Sequence, residues 1–519
     1  MEQVKVLRGT KEIIGEIPAI HFGTVTYEEC EGAGCQVISL SQVSPKEFAK
    51  YVSDAAESGY ICHERHCLGT TSFYAFSKKN AALFLNYYPE LREMRIVGDT
   101  NCGYFQLKDR PGGWQLPSLL TQIDLEDYGM SYLIRMSDGR FLILDGGWDF
   151  EPDADKLMRQ LQAQAPEEKP VIAAWIFTHP HIDHYRCFMK FFEKYKERVI
   201  VEAFLYNFPE ITEEFASRNP RLQEKEEAEA LQRLEVCVAE CGAPVIRPHT
   251  GQVYQFGNVR MEVLSSLDDT CHPPCGVNAI SLVLRMQLEG QQILFCADSE
   301  LSQAALAERY GSYLKSDILQ VTHHGFNGGT VEAYSLIDPE VCLVPVDENL
   351  FYGYMCCYKA ENQALIYGLD VKEILTGSHG DIVLTLPYKA KPNGRTMLLE
   401  TAKDWQKKLG ARSWVFGDMT WETCRFSILN TSCFEGSVKA TLYFEERADR
   451  IRAIEIKVPG YTVKKVDFTE EGSINGDSEF FNRESLSKMG IPYGKTFAVH
   501  FLTDRPLVIW GDKAPVYVY

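Results

Sequence analysis

The spacing of hydrophobic and polar positions changes character twice along the chain. Over residues 1–110 short apolar runs are separated by turn residues. Residues 36–40 predict a strand, and Ser44-Pro45-Lys46-Glu47 predicts a helix start: Ser caps the amino end, Pro takes the first position and Glu the third. The helix should run to about Ser58 and stop at Gly59, whose backbone tolerates the left-handed turn that ends helices. Residues 60–66, 72–76, 82–88 and 93–97 then read as strands. The expectation is a small α+β domain over 1–110, with one helix against an antiparallel sheet.

Arg110-Pro111-Gly112-Gly113 marks a boundary, and from 115 to about 400 strands and helices alternate. Residues 130–135 and 140–144 predict a hairpin joined through Asp138-Gly139, and its second strand ends in Asp145-Gly146-Gly147. A helix over 151–164 leads to an uninterrupted apolar run at 171–177, the pattern of a buried strand. Residues 199–206 predict a further strand. The Glu-rich stretch 210–240, with Leu222, Ala228, Leu231, Leu234 and Val238 at roughly helical spacing, predicts a solvated helical insertion. Further strands are expected at 259–264, 282–287, opened by Asn278-Ala279-Ile280-Ser281, and at 293–296 and 318–321. Beyond 405 the helices drop out. Strands at 414–416, 423–429, 437–444, 451–458, 496–502 and 506–510 predict a β-sandwich-like domain over 405–519.

Bulk composition narrows the class. With 519 residues, 45% hydrophobic and 24% charged, the chain is a globular protein of about three domains. The net charge of −19 argues against a general nucleic-acid binder, although ions bound in a site can supply positive charge locally for a phosphodiester. The first residues lack the apolar core of a signal peptide, and no run reaches the roughly 18 apolar residues of a membrane span, so a cytoplasmic protein with no membrane partner is expected. The 16 cysteines are scattered and read as reduced core thiols.

The chemistry concentrates in Thr178-His179-Pro180-His181-Ile182-Asp183-His184-Tyr185, directly after the buried run. His179 and His181 are two apart and point the same way in extended backbone. Asp183 and His184 lead into a stretch whose Phe188, Phe191 and Phe192 fit a helix packed on a sheet. Imidazoles with carboxylates suit zinc or a similar divalent ion. Two later strands also end in ligand types, one in Asp298 and one in His323-His324-Gly325. His63 and His66, flanking Glu64, have no partner spacing and read as ordinary surface residues.

The order His-x-His-x-Asp-His after a buried strand resembles the metallo-β-lactamase superfamily. Asn278-x-x-Ser281, the strand-end Asp298 and His323-His324-Gly325 resemble the branch containing the metallo-hydrolase domain of ComEC-type proteins, over residues 115–390. Asp317-Ile318-Leu319, Asp338-Pro339-Glu340-Val341, Leu375-Thr376 and Gly380 extend the likeness. The sequence departs from that branch at Ala297, where a glycine is usual, and at Tyr185-Arg186-Cys187. The membrane channel of such proteins is missing, so DNA internalisation is not implied.

The resemblance implies an α/β fold, a four-layer αββα sandwich, holding one or two Zn2+ ions, with Mn2+ as the alternative. His179 and His181 would hold one ion, with His272 or Asn278 as third ligand. Asp183, His184 and one of His323 and His324 would hold the second, with Asp298 between them and Asp145 as the structural aspartate beside the site. The other histidine of the pair would contact substrate or support a ligand. Apart from the resemblance, the cluster Tyr352, Tyr354 and Tyr358 reads either as a pocket wall or as core or surface packing. Asp183 would be catalytic, orienting a metal-activated hydroxide or taking its proton. The expected substrate is a small molecule or a phosphodiester. The alternatives are an ester, lactone or amide in the same site, or a non-catalytic metal-binding module.

Overall fold

The computed structural model describes residues 17–31, 35–68, 71–79, 81–100, 113–209, 225–267, 276–299, 302–347, 350–351, 360–369, 371–377, 380–391, 413–420, 424–430, 435–444, 453–467, 496–503, 507–511 and 517–518. The chain forms two compact units, residues 1–348 with 369–394, and residues 349–368 with 395–519.

The first unit begins with strands β1 (Thr24–Glu31) and β2 (Cys35–Ser41), helix α1 (Pro45–Glu57), and strands β3 (Ile61–Leu68), β4 (Thr71–Lys78), β5 (Ala81–Tyr88) and β6 (Glu93–Asp99). They make one antiparallel sheet in the order β1-β2-β6-β5-β4-β3. The helix start follows the sequence pattern: Ser44 Oγ accepts from the Glu47 amide at 3.3 Å, and the Glu47 carboxylate accepts from the Ser44 amide at 2.8 Å. Phe48, Tyr51 and Ala55 pack this helix on Ile38, Leu83, Leu85 and Ile96. The opposite face, with Val37, Phe84 and Val97, joins the main core of the unit. Strand β1 was not predicted, because an edge strand carrying Glu28, Glu29 and Glu31 lacks clean apolar alternation.

Two larger sheets follow. The first contains β7 (Leu119–Gln122), β8 (Ser131–Arg135), β9 (Phe141–Asp145), β10 (Val171–Ile176), β11 (Ile200–Val201), β12 (Phe204–Leu205) and β13 (Val245–Ile246). The second is ordered β14 (Val253–Phe256), β15 (Val259–Ser265), β16 (Val283–Leu288), β17 (Gln291–Phe295), β18 (Ile318–Gln320), β19 (Val341–Val344), β20 (Glu373–Thr376). A late strand, β21 (Ile382–Thr385), returns to complete the first sheet in the order β13-β12-β10-β9-β8-β7-β21, with β11 also beside β10. Leu142, Leu144, Ala174 and Ile176 of one sheet and Leu284, Met286, Ile293 and Phe295 of the other share one core between the layers. Helices α2 (Glu151–Gln164), α3 (Ile182–Tyr195) and α4 (Lys225–Cys241) cover the outside of the first sheet, where Trp175, Phe177, Phe188, Phe191 and Leu234 form a second core. Helices α5 (Ser302–Tyr310) and α6 (Val331–Ile337) follow β17 and β18 in the chain. This is the expected αββα sandwich.

The predicted strand at 199–206 is divided into β11 and β12, with Glu202 and Ala203 between them. Asn278–Ile280 forms a short 3-10 turn rather than opening β16.

Asp153, in the first turn of α2, is wholly buried and accepts from the Glu126 amide at 3.0 Å. Burial pushes its carboxyl up to about 6, against the pull of that hydrogen bond and of Lys156. A raised carboxyl holds its proton in the folded state while the unfolded chain has already ionised, so stability falls as pH rises from about 3.8 to about 6. Asp153→Asn removes this loss. The stability difference between variant and wild type, from urea unfolding, is expected to grow in favour of the variant by on the order of 1–2 kcal/mol between pH 4 and pH 7, allowing for solvent screening.

In the second unit β22 (Ser413–Met419), β23 (Arg425–Asn430), β24 (Gly436–Phe444), β25 (Ala453–Val458), β26 (Val463–Asp467), β27 (Phe497–Thr503), β28 (Leu507–Gly511) and β29 (Tyr517–Val518) form two sheets, β25-β24-β27-β22-β29 and β26-β23-β28. Phe416, Phe426, Ile428, Val438, Val499, Phe501 and Ile509 make the core between them. Strands β26 and β29 were not predicted.

Candidate metal centre

Strands β9 and β10 are parallel neighbours, Leu144 beside Ile176, so Asp145 and the segment 178–184 emerge at the same sheet edge. Strands β17 and β18 are likewise parallel, which brings Asp298 and His323-His324 to one edge of the facing sheet. A backbone bond from the Leu282 amide to Thr178 O at 3.0 Å ties the two edges together, and one from the His323 amide to Ala297 O at 2.8 Å ties the two strand ends of the facing sheet. Helix α3 is anchored by Phe188 and Phe191 against Trp175, with ring centroids at 4.8 and 5.2 Å. Trp175 in turn donates to Asp145 O at 3.0 Å.

The backbone bends sharply at these strand ends. Asp145, Ala297, His323 and His324 have φ of 55°, 47°, 47° and 53°, a region that non-glycine residues enter at a cost of about 1–3 kcal/mol each. Gln320 holds one of these bends, its Oε1 accepting from the Ala297 amide at 2.7 Å. Strain gathered at strand ends aims side chains into the gap between the sheets.

Two sets of donor atoms result, Asp183, His184, Asp298 and His324, and His179, His181 and Asp298, each with its atoms within 4.8 Å of one another. In the first set His184 Nε2 is 3.3 Å from Asp298 Oδ2 and 3.6 Å from Asp183 Oδ2. His324 Nε2 is 3.3 Å from Asp183 Oδ2 and 3.4 Å from Asp298 Oδ1. In the second, His179 Nε2 is 3.8 Å from Asp298 Oδ2. Ligands about 2.1 Å from a tetrahedral ion stand roughly 3.4 Å apart, which the first set matches. The buried Nε2 atoms of His179 and His184 have no hydrogen-bond partner among the described residues, so an ion would satisfy both.

Asp145 stands behind the donors, not among them. Its Oδ1 accepts from the Thr178 amide at 2.8 Å, and its Oδ2 accepts from Thr178 Oγ1 at 2.7 Å and from His184 Nδ1 at 2.8 Å. Thr178 Oγ1, its proton given to Asp145, is 3.1 Å from His179 Nδ1 and can accept from it. One carboxylate thus sets the tautomer of a histidine in each donor set, leaving both Nε2 atoms as acceptors.

The electrostatics ask for a cation. Burial pushes the Asp298 carboxyl up, yet His324 and His184 hold it well below the usual carboxylate range. Burial likewise opposes ionisation of Asp183, and His184 and His324 keep it lowered. Burial disfavours charge on His184 and His324, but Asp298, Asp183 and, for His184, Asp145 overcome it, lifting His324 to about 9 and His184 well above an ordinary imidazole. His179 is held well below by burial and by His184. Burial pushes Asp145 up, with His184 working against it. A divalent ion can replace the protons that balance Asp183 and Asp298.

His323 is 20% exposed, its Nε2 3.6 Å from Asp298 Oδ2 and 3.2 Å from Asn278 Nδ2. It stands at the mouth while His324 is enclosed, and Asn278 faces His323. His272, Tyr352, Tyr354 and Tyr358 lie outside the described residues. Sequence reasoning missed Thr178 as a link between Asp145 and His179, and Gln320 as support for the Ala297 bend, because neither carries a ligand type. It also missed Tyr128, whose ring centroid lies 6.2 Å from that of His324.

Residues 125–335 match the model of the metallo-beta-lactamase superfamily. No curated protein matches the chain. Among solved structures the chain is similar to the flavodiiron protein from Giardia intestinalis, at 12% identity over 58% of this chain and 60% of that one, with a TM-score of 0.25. It is similar to a beta-lactamase domain protein from Burkholderia ambifaria at 15% identity, over 58% of this chain and 78% of that one, with a TM-score of 0.25. A shorter stretch, 20% of this chain and 83% of the other, is similar to the Anabaena sensory rhodopsin transducer at 18% identity and a TM-score of 0.16. Sandwich, strand-end histidines and aspartates and the family match agree that residues 125–335 form a metallo-β-lactamase superfamily domain.

Proposed function

We propose that the chain is a metal-dependent hydrolase that cleaves a phosphodiester at a two-ion site. The observation that carries this is the sharing of Asp298 by two donor sets. Asp183, His184, Asp298 and His324 would hold one Zn2+ ion, and His179, His181 and Asp298 the other, with Mn2+ as the alternative. Bound there, the ions would polarise the substrate's phosphoryl oxygen and make water a nucleophile near neutral pH. Asp183 then orients the attacking water and takes its proton. His323, at the mouth, holds a substrate oxygen. The likeness to the ComEC-type branch supports a phosphodiester, while the net charge of −19 favours a small diester over a polynucleotide. The same acidic surface is what favours the second reading, an ester, lactone or amide in this site.

Regions 1–110 and 405–519 are proposed as domains before and after a hydrolase at 115–400 in the chain, the first sharing a core with it. No helix among the described residues is long and apolar enough to cross a membrane, and a cytoplasmic location is part of the same proposal.

The test is metal analysis with an activity screen on bis-p-nitrophenyl phosphate, a thymidine phosphodiester, a lactone and a chromogenic β-lactam. The expected result is bound zinc and turnover of the phosphodiesters, lost on chelation and restored by Zn2+ or Mn2+. Turnover of the lactone alone moves the assignment to the second reading. Metal-replete protein inert on all four, with unchanged metal content in His181→Ala, makes the domain a non-catalytic module.

A further inference from the structure

Four aromatic side chains stand in a row beside the donor cluster. The Tyr128 and Phe326 rings lie 6.2 and 6.4 Å from that of His324, and 5.9 Å from each other. Phe326 is also 5.9 Å from His323. Trp148 stands edge-on to Tyr128 at 5.6 Å, and Phe150 stacks along Trp148 at 6.0 Å. None of the four is buried, and Phe150 is 37% exposed. Rings of this size normally go to the core, and a contiguous, partly exposed row of them suits a binding surface.

The row is built into the metal-bearing framework. The Met130 amide donates to Asp183 O at 3.2 Å and the Gly147 amide to His184 O at 3.2 Å, so the loops bearing Tyr128 and Trp148 are both pinned to the start of α3. Gly129, at φ 158°, leaves no room for a side chain, since a Cβ there would sit 2.8 Å from Asp183 O. Trp148 Nε1 donates to Tyr128 O at 2.5 Å and joins the two loops. Phe326 comes from the turn directly after the histidine pair. The rings are thus preorganised at a fixed distance from the donors, which lowers the entropic cost of binding.

We propose that this row is the specificity wall of the site, and that the substrate carries an aromatic or heteroaromatic ring close to the group being cleaved. The ring of an aryl ester or a nucleobase has the flat faces and positive edges that such a wall packs against. Tyr128 and Phe326 lie so close to His324 that they serve the group next to the scissile bond, not a distant tail. This inference rests on the hydrolase reading for the location of the reacting group, but it concerns the wall alone.

The experiment is titration calorimetry on the full chain loaded with zinc, with two pairs of probes: phenylphosphonate against methylphosphonate, and phenylacetate against acetate. Wild type is expected to bind the phenyl member at least ~5-fold more tightly in the pair whose anionic group it accepts. Tyr128→Phe, which keeps the ring, should retain that preference. Tyr128→Leu and Phe326→Leu should each lower it severalfold with zinc content unchanged. Phenyl preference in the carboxylate pair alone would remove the phosphodiester reading and leave the wall standing. Equal affinity within each pair, or no binding of any probe to zinc-loaded protein, overturns the wall. A preference that survives both ring deletions overturns it as well.

Discussion

For the proposed two-ion hydrolase, Asp298→Asn is expected to cost both metal ions and, with them, all measurable hydrolysis. Asp298 is the one residue common to both donor sets, its Oδ2 facing His184 and His179 and its Oδ1 facing His324. The amide is nearly isosteric but neutral, and it exchanges one anionic oxygen for a donor that repels a cation. Losing a partner behind a ligand costs ~10–100-fold in metal affinity, and losing a shared ligand should exceed the upper end of that range for each ion. Elemental analysis after equilibration with excess zinc, followed by gel filtration, is the measurement. Retention of close to the wild-type zinc content would show that Asp298 does not bridge the sets. His181→Ala gives the contrast, since that residue belongs to one set only, and it should leave the Asp183, His184 and His324 set loaded.

Asp145→Asn should have the next largest effect, although the residue touches no ion. Its carboxylate accepts from Thr178 twice and from His184 once, and all of these groups are buried. The amide turns one acceptor into a donor, so it clashes with either the His184 Nδ1 proton or the Thr178 amide. Zinc affinity should fall ~10–100-fold at both ions. The metal-free protein should lose about 3–5 kcal/mol to urea, the scale for breaking a buried charged pair from one side. Thr178→Val separates the two arms of the relay. It removes the group next to His179 Nδ1 and leaves the His184 contact in place, so it should weaken the ion at His179 and His181 and spare the other. Competition titration with a chromogenic chelator resolves the two affinities, and equal weakening of both would refute the relay.

Much of the fold was legible because local chemistry and periodicity agreed. The helix over 45–57 follows from Ser44, Pro45 and Glu47, and the hairpin of β8 and β9 from Asp138-Gly139 between apolar runs. Buried strands such as β10 and the helix with Phe188, Phe191 and Phe192 were readable from apolar pattern alone. Legibility failed for edge strands and for very short ones: β1, β7, β13, β14, β19, β20, β21, β26 and β29 were not predicted. For β1 charged residues obscure the apolar pattern, and β7, β13, β19, β20 and β21 span only two to four residues, too few to display a period. The break at Glu202 and Ala203 was invisible because the residues on both sides of it remain strand-like.

For the candidate site, the residue types and their order were available before any coordinates. His-x-His-x-Asp-His after a buried run, an aspartate closing a strand and a pair of histidines closing another are local facts about the chain. Which histidine of that pair is enclosed, where Asp298 stands between the sets, and how Asp145 reaches a histidine in each are not local. They depend on positive backbone angles at Asp145, Ala297, His323 and His324, which residue type alone does not reveal, and on the register of two parallel strand pairs in facing sheets. The aromatic row beside His324 was hidden for the same reason, since Tyr128, Trp148 and Phe326 lie far apart in the chain. Sequence determined the donors because ligand chemistry belongs to single residues. Only the tertiary structure decided their grouping, because distance between strand ends is set by how two sheets pack.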